Sequence, residues 1–378
     1  MICILDLGTS KISSILVKDE DTKPEVVAFS SIETSGIKTG SIINIGLISE
    51  DISKSINELE NKSGEKIKDI VVSFSGEQIS SINSTGSVII RQKEVTARDV
   101  QSALNMSSTL KVPNDKTLLY VSPNEYTIDG QPGIAEPIGM NGVRLEARTH
   151  LIYCSQNTKE NISKCIEELN DLRIKKFYFN QLGAAESVLT QDQKDLGVCL
   201  IDIGAGTTDL TVYKGGSIRF SKVFPYAGDY ITETIATSLK ITSTQAEEIK
   251  KKYGCAILES NSEDALRIKG INGNKETEIS RKALSEVIEQ SLTRIIRHCA
   301  VCVEDNGMLN YMPTGYVLTG GTANLEGVQK LGEDVTKNNF EIGLPEVEMP
   351  YKSEQLIKPQ FSPILGMIKF CVLERKKQ

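Results

Sequence analysis

Asp6-Leu7-Gly8-Thr9-Ser10-Lys11 and Asp202-Ile203-Gly204-Ala205-Gly206-Thr207-Thr208 are the stretches of this chain best suited to chemistry. Each sets a carboxylate two positions before a glycine and follows it with small or hydroxylated residues. Glycine lets the backbone approach an anion, amide N–H groups and hydroxyls donate to it, and an aspartate can orient a metal-bound water. Two such loops could grip one polyphosphate from two sides. Their flanks repeat as well: Ile2-Cys3-Ile4-Leu5-Asp6-Leu7-Gly8 returns as Val198-Cys199-Leu200-Ile201-Asp202-Ile203-Gly204. An apolar run of strand length, a tight turn and a second apolar run predict a buried hairpin in each copy. One Asp-x-Gly-Thr is weak evidence, whereas a matched pair in duplicated halves is strong. A third turn, Thr319-Gly320-Gly321-Thr322, ends another buried strand, and a helix starting there would favour anions or polar ligand edges.

The elements that must position these loops follow from the pattern. Residues 2–7, 12–17, 25–32 and 70–74 read as strands, and 49–61 as a helix with Ile52, Ile56 and Leu59 on one side. From Glu77 to about Asn157 the texture turns to Ser, Asn, Gly and Pro. Short strands at 87–90 and 118–121 and one helix after Thr96, with Asp99 at its third position, predict an inserted subdomain. Helices are expected at 161–172, between Gly228 and Gly254 (the second at 243–253, capped by Ser243), at 280–303 and at 363–374. The 378 residues exceed one core and suit two or three domains.

Composition narrows the partners. Lys+Arg 43 against Asp+Glu 50 gives a net charge of −7, which argues against nucleic acid. The first strand starts at residue 2, with Asp6 and Lys11 where a secretory signal would be apolar, and no window reaches the ~18–20 apolar residues of a spanning helix. A cytoplasmic protein is expected. The eight cysteines are scattered through apolar runs, as reduced core residues are. His298-Cys299-x-x-Cys302 lies in a helical pattern and reads as packing, not as a metal site.

Two Asp-x-Gly hairpins plus a third Gly-Gly turn resemble the pattern of the actin-like ATPases. The insert strings Pro123 to Ile134 and Glu136 to Ala147, with Tyr226-Ala227-Gly228-Asp229, Ala246-Glu247-Glu248-Ile249-Lys250 and Glu286-Val287-Ile288-Glu289, narrow the likeness. They resemble the bacterial cell-division family FtsA, in order, over nearly the whole chain. The resemblance implies an α/β, actin-like fold of two duplicated halves around a nucleotide cleft, with a family-specific inserted subdomain. It divides the chain into 1–81, 158–194 and 350–378 for the first main subdomain, 82–157 for the insert, 195–230 and 304–349 for the second main subdomain, and 231–303 for its outer part.

By the same likeness, ATP or ADP phosphates would lie between Gly8, Thr9, Ser10, Lys11 and Gly204, Ala205, Gly206, Thr207, Thr208. Mg2+ would be held through water by Asp6 and Asp202, as a hard cation that keeps its hydration shell. Adenosine would meet Gly228, Glu247, Lys250, Gly320, Gly321, Thr322 and Asn324. The family polymerises with itself under the inner membrane, tethers the tubulin-like protein FtsZ through its C-terminal peptide, and recruits other division proteins, here through the insert. Arg281, Lys282, Arg294 and Arg297 are the implied peptide-binding residues.

Three departures qualify that picture. Asn180 stands in the slot where hydrolysing relatives place Glu or Gln to orient the attacking water, with Gln181 beside it. An amide one methylene shorter implies weak or absent hydrolysis. Ser291 stands where many members carry an Arg on the long helix. The family's basic amphipathic membrane helix would follow the last subdomain, whereas this sequence ends Arg375-Lys376-Lys377-Gln378, which implies weak membrane binding by the chain alone. A pilus-assembly adaptor of the same superfamily and an ATP-dependent sugar kinase are the alternative readings; no hexose-binding insert or facing carboxylate base supports the kinase.

Overall fold

The structure is a computed structural model that describes residues 1–18, 24–109, 113, 115–167, 169, 172–258, 265–269, 276–346 and 356–376. Its two halves repeat one strand plan. In the first, Ile2–Leu7 is central, antiparallel to Lys11–Lys18, which pairs with Glu25–Glu33; on its other side it runs parallel to Asp69–Phe74 and then Arg173–Phe179. In the second, Val198–Ile203, Thr208–Lys214, Ser217–Phe224, Tyr316–Thr319 and Phe340–Ile342 reproduce that order and those directions.

The central strands are buried along their whole length. Parallel neighbours put helices on both faces, so both faces must be apolar. Val198 and Leu200 face the core of the first half, while Cys199, Ile201 and Ile203 face that of the second. The second sheet is thus a shared wall.

The insert differs from expectation. In place of short strands it holds Ser80–Ile89, Lys116–Ile128, Gln131–Ile134 and Arg144–Ser155 in one antiparallel sheet, backed by helix Ala97–Thr109. Pro123 hid the length of the second strand. It is tolerated because the register shifts beside it: Arg148 pairs with Glu125 and Thr149 with Pro123, leaving Asn124 as the extra residue of a bulge. The two long strands feed two cores. Ile152 and Cys154 pack with the first half, and Leu145 and Ala147 with the insert's own cluster.

The insert also grips the second half. Ser81 Oγ donates to Ser221 O at 2.8 Å, the Ile218 amide donates to Ser122 Oγ, and Arg219 reaches Asn124 O. Buried His150 sets one ring nitrogen 2.7 Å from Asn83 Oδ1 and the other 2.8 Å from Ser221 Oγ. Burial pushes this imidazole down to about 4, so it is neutral at physiological pH.

Most expected helices form, with instructive changes at their ends. Asn44 caps Ile45–Ser63 through the Leu47 amide, a turn earlier than the apolar stripe suggested. Thr242, not Ser243, caps Ser243–Tyr253, in a box with Gln245. Thr96 and Asp99 bond reciprocally as expected. After Gly320-Gly321 the chain makes only a short 3-10 turn, Gly321–Asn324, and the helix starts at Val328. Gly320 has φ 89° and a side chain there would collide with Asp202 and Ile203, so the backbone is folded tightly against the second hairpin.

Helix Ser362–Lys376 is a core element. Ile364, Met367 and Ile368 are fully buried, and the helix crosses Asn180–Val188 where Gly366 meets Gly183 backbone to backbone. Among the described residues no helix is long and apolar enough to cross a membrane. The expected junction at 349/350 and residue Lys377 lie outside the described residues.

If that crossing holds the terminal helix, Gly366→Val will cost about 1–3 kcal/mol, because its side chain must displace the Gly183 carbonyl. The denaturant midpoint should fall, whereas Leu373→Ser at an exposed position should change stability by less than about 0.5 kcal/mol. Equal midpoints for both variants would place the helix elsewhere.

Candidate nucleotide site

The hairpins close over turns of equal length: Leu7 pairs with Ile12, and Ile203 with Thr208. Gly8 N–H donates to Lys11 O at 3.1 Å and Gly204 N–H to Thr207 O at 3.0 Å, so both turns have one geometry. They touch. A side chain at Gly206 would collide with the Thr9 side chain, and the Gly40 amide donates to Thr9 Oγ1 at 3.1 Å.

Behind the turns lie three buried carboxylates. Asp6 accepts from Asn180 Nδ2 at 2.8 Å. Burial raises it to about 6 against the opposing pull of Lys11 and Asn180. Asp202 is raised to about 7, by burial first and then by the charge of Asp6, with Lys11 opposing. Asp209 lies opposite Asp202 in the antiparallel register and accepts from Ser75 Oγ at 2.6 Å. Burial and the neighbouring Asp202 hold it well above the usual carboxylate range. Lys11 is lowered to about 8 by burial, against the pull of Asp6 and Asp202. Its ammonium donates to Gln360 O at 3.2 Å and sits 3.8 Å from the centre of the Phe361 ring.

The second hairpin is bonded to most of the residues expected to meet adenosine. Gly228 N–H donates to Gly204 O at 3.0 Å and Asp229 N–H to Ala205 O at 2.7 Å, stitching the start of helix Gly228–Leu239 onto the turn. Thr208 Oγ1 donates to Tyr226 O and Thr322 Oγ1 to Gly204 O. Glu247 and Lys250, an i, i+3 pair that on a bare helix would be solvated, are partly buried and joined at 2.6 Å. Lys250 also donates to Gly228 O at 3.0 Å and to Thr232 Oγ1 at 2.7 Å, so its three donors all serve the wall. Burial raises the Glu247 carboxyl, but Lys250, Thr232 and Lys251 together hold it below its ordinary value. Asn324 Nδ2 bonds Gly321 O and Gln360 Oε1.

The structure therefore brings Asp6, Thr9, Lys11, Asp202, Gly206, Gly320 and Thr322 to one place, with Asn180 and Gln181 behind. Gln181 Nε2 donates to Asp209 O at 2.5 Å, and the carbonyl oxygens Asn180 Oδ1 and Gln181 Oε1 are buried without a partner among the described residues. Asp209, Ser75, Gln360 and Phe361 were missed in the sequence. The repeat gives no signal for Asp209, since Ser13 stands at the matching place in the first hairpin.

The four basic residues do not converge. Arg294 and Arg297 line a cavity of about 670 Å³ between helix Arg281–Asp305 and strand Ser217–Phe224, with Lys222 and His298. It adjoins an aromatic cavity of about 240 Å³ walled by Phe224, Tyr226 and Tyr230, where Arg294 donates to the Tyr230 hydroxyl at 2.7 Å. Arg281 and Lys282 sit at the helix start, about 20 Å away at 1.5 Å per residue. Ser291 is buried and bonds Val287 O. Among the described residues no cluster of His, Cys, Asp or Glu forms a metal-binding group, and none of the eight cysteines is in a disulfide.

Comparison with known proteins agrees with this architecture. The family profile "Cell division protein FtsA" matches residues 199–366, and "SHS2 domain inserted in FTSA" matches 76–153. The chain is 36% identical to the cell division protein FtsA of Pseudomonas aeruginosa, over 91% of this chain and 83% of that protein. It is 30% identical to that of Escherichia coli K12, over 97% and 89%. Among solved structures, a PilM-PilN type IV pilus biogenesis complex has TM-score 0.70 at 17% identity, covering 98% of each chain. MreB5 of Spiroplasma citri bound to ADP has TM-score 0.61 at 14% identity, covering 100% of this chain and 97% of that one. These two likenesses establish the actin-like fold alone, so the pilus reading gains nothing from the first. Sequence identity over nearly the full length, together with the inserted domain, places the chain in the FtsA family of cell-division proteins.

Proposed function

We propose that the chain binds ATP or ADP with Mg2+ between the two hairpins and works as a self-associating division adaptor for FtsZ. The observation that carries the nucleotide reading is the set of three buried aspartates facing two matched, touching turns. Buried like charges are costly unless a cation compensates them. Asp6 and Asp202 suit Mg2+ held through its waters, and the unpartnered oxygens of Asn180 and Gln181 could accept from such waters. When bound, the cation would neutralise phosphate charge. Gly8 to Lys11 and Gly204 to Thr208 would hold the phosphates; Gly228, Gly320, Gly321, Thr322 and Asn324 would bracket adenosine, braced by Glu247 and Lys250. In this reading the chain divides into the subdomains that the family implies.

Hydrolysis is proposed to be weak. Asn180 Nδ2 is held by Asp6 and Gln181 Nε2 by Asp209 O, which fixes both amides behind the turns, and Asn180, one methylene shorter than Gln or Glu, would fall short of the attacking water. Steady-state phosphate release should fall well below the ~1–10³ s⁻¹ of typical enzymes. Turnover within that range would contradict the assignment.

The basic and aromatic cavity pair suits an acidic, apolar peptide such as the FtsZ C-terminus. The insert, with exposed Ile89, Ile138 and Val143, suits contacts with other division proteins. Copies assembling at the division site on the cytoplasmic face of the inner membrane complete the proposal, with membrane attachment through an element other than the buried terminal helix. In fluorescence polarisation, Arg294→Glu/Arg297→Glu should weaken FtsZ-tail binding at least about tenfold. The wild-type affinity should fall with added salt, as charge-assisted binding does. A double variant that binds unchanged would move the peptide site elsewhere.

A further inference from the structure

The turn Pro359–Phe361 enters the cleft from the last segment of the chain and touches both halves at once. Toward the second half, Pro359 O accepts from the Gly320 amide at 3.3 Å and from Thr319 Oγ1 at 3.2 Å, and Gln360 Oε1 accepts from Asn324. Toward the first half, Gln360 O accepts from Lys11 and the Phe361 ring lies under the same ammonium at 3.8 Å. Phe361 is itself held edge-on by Phe29, with ring centres 5.4 Å apart.

An ammonium on a four-carbon stem has three donors and wide rotamer freedom. One donor goes to Gln360 O, and the ring face attracts the charge from a second side. That leaves a donor for a phosphate oxygen at the first hairpin, with the side chain already ordered.

We propose that Phe361 is a positioning residue for the phosphate site, holding the Lys11 ammonium by a cation–π contact so that it meets the nucleotide pre-ordered. The inference rests on the nucleotide reading above. It predicts a dependence on phosphate: a cation–π contact of this kind corresponds to roughly 3- to 30-fold in affinity, and a ligand without phosphate makes no use of it.

Calorimetric titration of ATP, ADP and adenosine, each with Mg2+, into the full chain tests this. Phe361→Leu should weaken ATP and ADP by roughly 3- to 30-fold while adenosine stays within about twofold, and Phe361→Tyr should restore the wild-type ratio. In a Lys11→Met background, Phe361→Leu should have no further effect on ATP. Phe361→Met, close in volume, replaces the leucine variant if that one fails to fold. An equal loss for adenosine and ATP would make Phe361 a merely structural residue, and an unchanged or tighter ATP affinity would also overturn the proposal. Wild-type protein that binds none of the three ligands would instead overturn the nucleotide reading itself.

Discussion

Three aspartates buried behind two facing turns set the terms for the rest of this molecule. A carboxylate taken out of water either gains a proton or finds a cation, and here burial raises all three while the neighbouring carboxylates raise Asp202 and Asp209 further. Lys11 supplies the opposing charge at Asp6 and Asp202, Asn180 and Ser75 add hydrogen bonds to Asp6 and Asp209, and Lys11 is itself lowered by burial. The fold keeps this arrangement by making both hairpins from the same register and pressing Gly206 against Thr9. The site is thus a contact between two copies of one motif, with the charge imbalance a cationic cofactor would relieve.

From that contact the architecture extends outward. The turn Gly204–Thr207 is bonded to helix Gly228–Leu239, whose Tyr230 reaches Arg294 in the neighbouring cavity. Asn180, bonded to Asp6, begins the short helix that the terminal helix crosses at Gly183. The insert, attached to the first half, holds the edge strand Ser217–Phe224 of the second through Ser81, Ser122 and His150. Among the described residues the paired turns, the basic cavity, the terminal helix and the insert therefore share short chains of direct bonds.

Much of this was legible in the sequence because the hairpins carry their chemistry in local order. Asp-x-Gly, three further turn residues and a returning apolar strand are visible to the eye, and the duplicate removed chance. Helices with an apolar stripe were equally readable, save for caps: Asn44 and Thr242 win because their side-chain oxygens reach the amide three residues on. What stayed hidden depends on long-range pairing. The insert strands run through Pro123, which reads as a break until the bulge is seen. Gln360 and Phe361 have no motif, and only the fold carries them across to Lys11. Glu247 and Lys250 have the spacing of a surface pair, and their burial comes from helix Gly228–Leu239 packing over them.

The central claim is that the aspartates await a cation-bearing nucleotide, and proton release measures it directly. At pH 6.5 Asp202, raised to about 7, is largely protonated, and Asp6, near 6, is partly so. A bound cation needs both ionised, so binding must expel protons. Titration of MgATP at this pH in buffers of different ionisation enthalpy should therefore show release of up to about one proton. Affinity should fall as pH drops from about 7 toward 5, and Asp202→Asn should abolish most of the release. Tight binding with no proton exchanged, or with the same exchange in Asp202→Asn, would contradict the account.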